Sequence, residues 1–332
     1  MRTLAYAAAV LVLVAGCGKR DAQRSADDQA APLVGEDDRC DPATPKVCRG
    51  QDVIECGSDG HLGRRLRACH DGCKAGQCEL TCADDGVKLI YVVDTANDFI
   101  SFDPRKLPGD PFHVIGKLRC AHAGSPFSMS VDRHGMAWVL YDDGSLFEVS
   151  IDDAHCTPTA FAPSAANVRT FGMGFATDTP GGKSEKLYIA ANDGTHLLSA
   201  IDTTDLKIER RGPLTATEGE NPELTGTSDA RLYGFYPADG GAPFVQEIDR
   251  ANGGPIGPKW PLGSESLGEI SAYAFAQWGG TFYVFATTDE LDSENSTVRT
   301  VDRAGHFKTI LQHVPYRISG AGVSTCAPER DQ

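Results

Sequence analysis

The chain has 332 residues, 41% of them hydrophobic, with a formal net charge of −15 and a pI near 5.0. Such an acidic field repels nucleic-acid phosphates and anionic membrane surfaces, so neither is expected as the main partner. Eleven cysteines, an odd number, fit an exported chain only if one of them has separate chemistry.

Residues 1–16 read as a secretory signal peptide. Arg2 supplies the positive start, residues 4–14 an apolar run of signal length, and Ala15 and Gly16 the small residues a peptidase cleft admits. The run is too short for a permanent membrane helix. Val14-Ala15-Gly16-Cys17 resembles the lipobox of bacterial lipoproteins, in which the cysteine is diacylated on sulfur and becomes the first residue of the mature chain. The resemblance implies lipidation of Cys17, which leaves ten cysteines for disulfides. No later apolar stretch approaches the roughly 18 residues of a spanning helix, so attachment to the membrane rests on the lipid. Residues 17–39 hold the lipidated cysteine and a segment rich in Asp, Arg, Gln and Ala with no apolar face, a disordered tether with a reach of about 25 Å. Gly18 stands where some such proteins carry Asp, which under the sorting rule of enteric bacteria implies the outer membrane.

Residues 40–82 carry Cys40, Cys48, Cys56, Cys69, Cys73, Cys78 and Cys82 against few apolar residues, among them Val53, Ile54 and Leu66. A segment this short seldom folds on burial alone, so disulfides must supply the stability. Val53 to Cys56, the Gly57-Ser58-Asp59-Gly60 turn and Leu62 to Cys69 read as a hairpin. Sequence alone does not choose among the pairings that six cysteines allow. Their spacings build no zinc site, and neither a metal nor a cofactor is expected. A rigid spacer or cap is the plainer reading of this module beside a binding role.

From Gly86 onward the chain repeats. One strand type sets an apolar residue before small ones, at Phe127-Ser128-Met129-Ser130, Phe171-Gly172-Met173-Gly174, Leu224-Thr225-Gly226-Thr227, Ile270-Ser271-Ala272-Tyr273 and Ile318-Ser319-Gly320-Ala321. A second carries an aromatic, at Tyr91, Trp138, Tyr188, Tyr233 and Tyr283. A third ends on aspartate, at Asp103, Asp152, Asp202, Asp249 and Asp302, a residue that caps its own turn. Five copies with a variable outer segment predict an all-β fold, a five-bladed β-propeller over residues 83–328 whose innermost strands need small residues where they converge.

The last small-residue strand lacks an aromatic strand after it, and the first aromatic strand lacks a small one before it. Together they predict closure of the ring by pairing of the N- and C-terminal strands. Cys82 and Cys326 fall at the two ends of the missing turn and are predicted to be bridged. Cys120 and Cys156 then pair by elimination.

Residues 126–147, Phe171-Gly172-Met173-Gly174-Phe175 and residues 320–328 resemble stretches of predicted lipoproteins from myxobacteria. The likeness covers most of residues 40–328, and it implies no activity because that family has no assigned chemistry.

No nucleophile elbow, phosphate loop, His-Glu-x-x-His or dinucleotide fingerprint occurs. Propellers commonly bind at the channel mouth, where turns between second and third strands meet the connections entering each inner strand. Asp94, Asn97, Asp142, Asn167, Arg169, Asn192, Asp193, Asn221 and Arg317 would line it. Arg169 and Arg317 could each meet a ligand carboxylate, a salt bridge to a turn aspartate being the plainer alternative. A glycan hydrolase would need two carboxylates at a fixed separation. Asp94, Asp98, Asp142, Asp143, Asp193, Asp239 and Asp289 qualify by type, yet they sit in strand-to-strand turns, where Asp serves turn chemistry alone. No catalytic residue is assigned. The expected protein is a lipid-anchored envelope module whose propeller binds a glycan or an envelope protein.

Overall fold

Runs such as Ile90-Tyr91-Val92-Val93 and Phe282-Tyr283-Val284-Phe285 are β-branched and aromatic and almost wholly buried, as suits strands packed on both faces. In the computed structural model they are second strands of four-stranded antiparallel sheets, of which there are five among the described residues. The structure describes residues 38–69, 72–79, 81–121, 124–162, 168–192, 194–214, 222–237, 242–263, 270–288 and 295–330. The signal peptide, Cys17 and the tether as far as residue 37 lie outside them, while Arg39 forms an isolated bridge with His61.

Sheet 1 comprises Ile318–Val323, Ile90–Asp94, Asp98–Phe102 and Phe112–Lys117, in that order across the sheet. Sheet 2 runs Pro126–Val131, Met136–Tyr141, Leu146–Ser150 and Cys156–Pro158, and sheet 3 runs Phe171–Thr177, Glu185–Ala191, Leu197–Ile201 and Ile208–Pro213. Sheet 4 runs Glu223–Gly226, Leu232–Tyr236, Phe244–Ile248 and Pro255–Pro261; sheet 5 runs Ile270–Trp278, Thr281–Thr288, Ser296–Asp302 and Phe307–Val314. The leading strand of sheet 1 therefore comes from the C-terminal end of the chain, with Ala321 opposite Val92 and Val323 opposite Ile90.

Each leading strand lies against the leading strand of the next sheet, and that of sheet 5 lies against that of sheet 1. The apolar clusters follow the same order. Tyr91, Phe99, Met129 and Val139 join sheets 1 and 2; Trp138, Leu140, Phe171 and Ile189 join sheets 2 and 3. Leu198 and Leu224 meet between sheets 3 and 4, Val245 and Phe275 between 4 and 5, and Phe285 and Ile318 between 5 and 1.

Strand pairing fixes which residues are equivalent. Trp138, Tyr188, Tyr233, Tyr283 and Tyr91 lie opposite Ser130, Gly174, Thr225, Ala276 and Gly322. Two residues earlier on the leading strands stand Ser128, Gly172, Glu223, Ala274 and Gly320. Leu224 and Ile270 are thus not the counterparts of Phe171, as their apolar character suggested, but Ile318 is: it lies opposite Asp94, three residues after Tyr91, as Phe171 lies opposite Ala191, three residues after Tyr188. A bulge between Ile318 and Gly320 keeps Ile318 at that position, and another between Ile270 and Ala272 shifts the start of the sheet 5 leading strand.

The aspartates after the third strands need one correction. Asp103, Asp202, Asp249 and Asp302 each accept the backbone N–H two residues on, from Arg105, Thr204, Ala251 and Ala304, at 2.8 to 3.1 Å. In sheet 2 the equivalent residue is Ser150, whose Oγ accepts from Asp152 N at 3.3 Å, so Asp152 is the donor of that turn and not its cap.

The small residues are required by close approach. A Cβ on Gly172 would lie 2.2 Å from the Pro222 carbonyl oxygen and 2.9 Å from Glu223 Cα, backbone atoms that cannot yield. Gly172→Ala is expected to cost at least about 2 kcal/mol through overpacking. The midpoint of urea unfolding measures this, and an unchanged midpoint would count against close packing of sheets 3 and 4.

The N-terminal unit is a three-stranded sheet, Lys46–Arg49, Asp52–Cys56 and Leu62–Ala68, with a two-stranded hairpin of Cys73–Lys74 and Gln77–Cys78. Three disulfides staple it, Cys40–Cys56, Cys48–Cys73 and Cys69–Cys78, around buried Val53 and Ile54. Cys82 is bonded to Cys326 and Cys120 to Cys156. Beyond its strand, the C-terminal segment reaches three other sheets. Thr325 Oγ1 donates to Glu185 at 2.6 Å, Gly279 N donates to the Pro328 carbonyl at 2.7 Å, and the Glu329 carboxylate accepts from Ser228 Oγ and Asp229 N.

Candidate functional site

The end at which the leading strands begin gathers several of the polar residues singled out above. Each described turn between second and third strands there is latched to the residue just before the leading strand of its own sheet. Thr95 N donates to the Arg317 carbonyl at 3.0 Å, Asp142 N to the Ser125 carbonyl at 3.0 Å, and Asn192 N to the Thr170 carbonyl at 2.8 Å.

Asp94 ends its strand almost wholly buried, and its Oδ1 accepts from Ala96 N at 2.9 Å and Asp98 N at 2.7 Å. Desolvation pushes this carboxyl above its ordinary value even though those N–H groups favour the charged form. Asn97, in the left-handed region at φ 67°, accepts the Tyr141 hydroxyl at 3.0 Å and so ties sheet 1 to sheet 2. Arg169 Nε donates to the Asp142 carbonyl at 2.9 Å, and Arg317 Nη2 donates to the Ser271 carbonyl at 3.3 Å. The two arginines thus each hold a backbone carbonyl of a neighbouring sheet. Asp142, Arg169 and Asn192 are exposed, so the rim offers water a mixture of negative, positive and amide groups. Asn167, Asp193, Asn221, Asp239 and Asp289 lie outside the described residues.

Below this rim sits a carboxylate the sequence reading missed. Glu223, 3% exposed, occupies the position that Ser128, Gly172, Ala274 and Gly320 hold in the other sheets. Its Oε2 accepts from Ser128 Oγ at 2.9 Å, and its carboxyl also receives the Met173 and Leu224 N–H groups. Ser128 belongs to sheet 2 and Glu223 to sheet 4, so the bond passes over sheet 3 where Gly172 carries no side chain. Desolvation pushes the carboxyl well above the usual range. One signal could have found it: a charged residue in a column of small ones, visible once copies are aligned on the aromatic strand.

No family model matches the sequence, and no curated protein matches it. Among solved structures, the chain is similar to one in a nidogen/laminin complex, with a TM-score of 0.41 and 12% identity over 83% of this chain and 96% of that one. It is also similar to the extracellular domain of a B. thetaiotaomicron protein described as a hybrid two component system, with a TM-score of 0.37 and 12% identity over 70% of this chain and 27% of that one. Among the described residues no helix is long and apolar enough to cross a membrane. Five disulfides are the chemistry of an oxidising compartment, outside the cytosol.

Proposed function

We propose that the chain is a lipid-anchored envelope protein, held at the outer membrane through Cys17, whose five sheets are the blades of a closed β-propeller that binds a glycan or another envelope protein. The cyclic order of the five apolar clusters supports the closed ring. The disulfide-rich unit at 40–82 spaces the ring from the tether. One observation carries the binding role: the rim turns are latched to the leading strands, and Asp94 is consumed by two turn N–H groups. A rigid rim that exposes Asp142, Arg169 and Asn192 suits recognition of a polar surface, since preorganised groups lose little freedom on binding.

Cys17→Ser is expected to move the protein from the membrane fraction to the soluble one, and this soluble form is the reagent for the binding test. On a glycan array it should bind saturably, lose that binding in Arg169→Ala, and release no sugar. Sugar release that disappears in Asp94→Asn would replace this proposal with a hydrolase. Continued membrane attachment of the Cys17→Ser chain would remove the lipid anchor from it.

A further inference from the structure

At the opposite end of the sheets a pocket of about 230 Å3 lies between sheet 2 and the disulfide hairpin of the N-terminal unit. Cys78 and Glu79 wall one side, with Asp132, Met136 and Glu148 on the other. It adjoins a larger cleft of about 410 Å3 that shares Cys78 and His134 and is bounded by the Lys46 to Asp153 ion pair.

Strand pairing gives this pocket an internal comparison. Glu148 lies opposite Trp138, and the residue opposite the corresponding aromatic is Ser101, Ala200, Glu247 and Thr300 in sheets 1, 3, 4 and 5. A glutamate therefore occurs at this position in sheets 2 and 4. In sheet 4, Glu247 has a cation, Arg231 Nη1 at 3.5 Å.

The residue equivalent to Arg231 in sheet 2 is Met136. Both follow the same turn geometry: Thr227 N donates to the Arg231 carbonyl and Asp132 N to the Met136 carbonyl. Sheet 2 thus lacks the cation and gains a carboxylate, because Asp132 stands where Thr227 stands. The Asp132 carboxylate is occupied by His134 N and Met136 N, both at 2.9 Å, and by Trp138 Nε1. The Glu148 carboxylate, on a half-buried residue, makes no hydrogen bond or ion pair among the described residues. Lys74 and Glu79 on the facing hairpin offset one another in formal charge.

We propose that this pocket binds an alkyl guanidinium or ammonium group, seated on Glu148 where Arg231 sits on Glu247, and supplied by a free amine or by the side chain of a protein partner. The site lies away from the rim, so its failure would leave the binding role proposed there untouched. Desolvation and the Asp132 carboxylate both raise Glu148 above its ordinary value, the state of a carboxyl that a cation would relieve.

Methyl-labelled methionine makes the test local, because Met136 lines the pocket while Met129 and Met173 are fully buried elsewhere. Titration of the Cys17→Ser chain with agmatine should shift the Met136 methyl signal saturably and leave the other two in place. Butylurea, uncharged and of the same alkyl length, should not shift it. Glu148→Gln should weaken agmatine binding about tenfold or more, as expected on losing a charge-assisted hydrogen bond. Met136→Arg, which restores the arrangement of sheet 4, should abolish binding measured by calorimetry while keeping thermal stability. A Gly-Ser-Arg-Ser-Gly peptide that binds more tightly than agmatine would identify a protein partner, and the reverse order a free amine. Equal shifts with butylurea, or undiminished agmatine binding by Glu148→Gln, would overturn the proposal. If Met136→Arg fails to fold, Glu148→Gln decides.

Discussion

Replacing Cys82 and Cys326 together by serine is expected to lower the thermal midpoint by up to about 10 to 20 °C. The bond joins residues 244 positions apart, and chain-entropy estimates for loops of this size give about 5 kcal/mol, an upper figure. A large domain loses roughly 2 to 4 °C per kcal/mol, which sets the size of the shift. Cys120–Cys156 encloses 36 positions and is expected to matter less, by about 1.7 kcal/mol on the same scale. The larger bond also has a local role. The Ile318–Val323 strand brings the C-terminal end of the chain back into sheet 1, with Gly320 and Gly322 set against Met129 and Ser130 of sheet 2. Once the bond is gone, amide exchange in residues 318–323 should rise ahead of exchange in sheets 2 to 4. A serine double variant that melts like the parent, with the strand equally protected, would mean that hydrogen bonds and the cluster around Ile318 hold the two ends of the chain together unaided.

The pairing of the chain's two ends was legible because it is a matter of counting. A leading strand without a follower and a follower without a leader can only be completed by each other, and Cys82 and Cys326 mark the gap. Register was not legible, because it is set by main-chain pairing and by bulges that leave no mark on residue type. Aligning copies on their apolar residues put Leu224 in the place of Phe127, which hid Glu223 among residues with no counterpart. Alignment on Tyr233 and Trp138 would have put Glu223 opposite Ser128 and exposed the exception. The turn aspartates were read correctly as caps at Asp103, Asp202, Asp249 and Asp302, and wrongly at Asp152, since Ser150 can accept the same N–H. The disulfides at 40–78 stayed open because hairpin geometry decides them: Cys73 and Cys78 face one another across a two-residue turn, yet bond to Cys48 and Cys69.

The pairing of Glu223 and Glu185 with burial leads to a second large effect, a loss of stability as pH rises. Glu185 carries a carboxyl raised from 4.5 to about 7, by desolvation first and by the Asp132 carboxylate, against hydrogen bonds from Thr325 and Arg133 N. Glu223 is shifted in the same direction by desolvation. Each binds its proton more tightly folded than unfolded, so its contribution is complete below the unfolded value and is lost as pH climbs through the folded one. For Glu185 that window runs from 4.5 to about 7 and is worth about 3 kcal/mol at most. Opposing groups act lower on the scale. Asp202, held down chiefly by the Thr204 N–H, withdraws its support as pH falls below the ordinary carboxylate range. The midpoint is therefore expected to peak near pH 5 and to fall by several degrees at pH 8. Glutamine keeps the shape of both side chains without the charge, so Glu185→Gln should flatten the profile between pH 5 and 7, and Glu223→Gln should raise the midpoint at pH 8 relative to the parent. Because Ser128 and Thr325 serve as donors to these carboxyls, Ser128→Ala and Thr325→Ala should steepen the same decline. A Glu185→Gln and Glu223→Gln double variant whose midpoint still fell as steeply as the parent's would assign the alkaline limb to other groups.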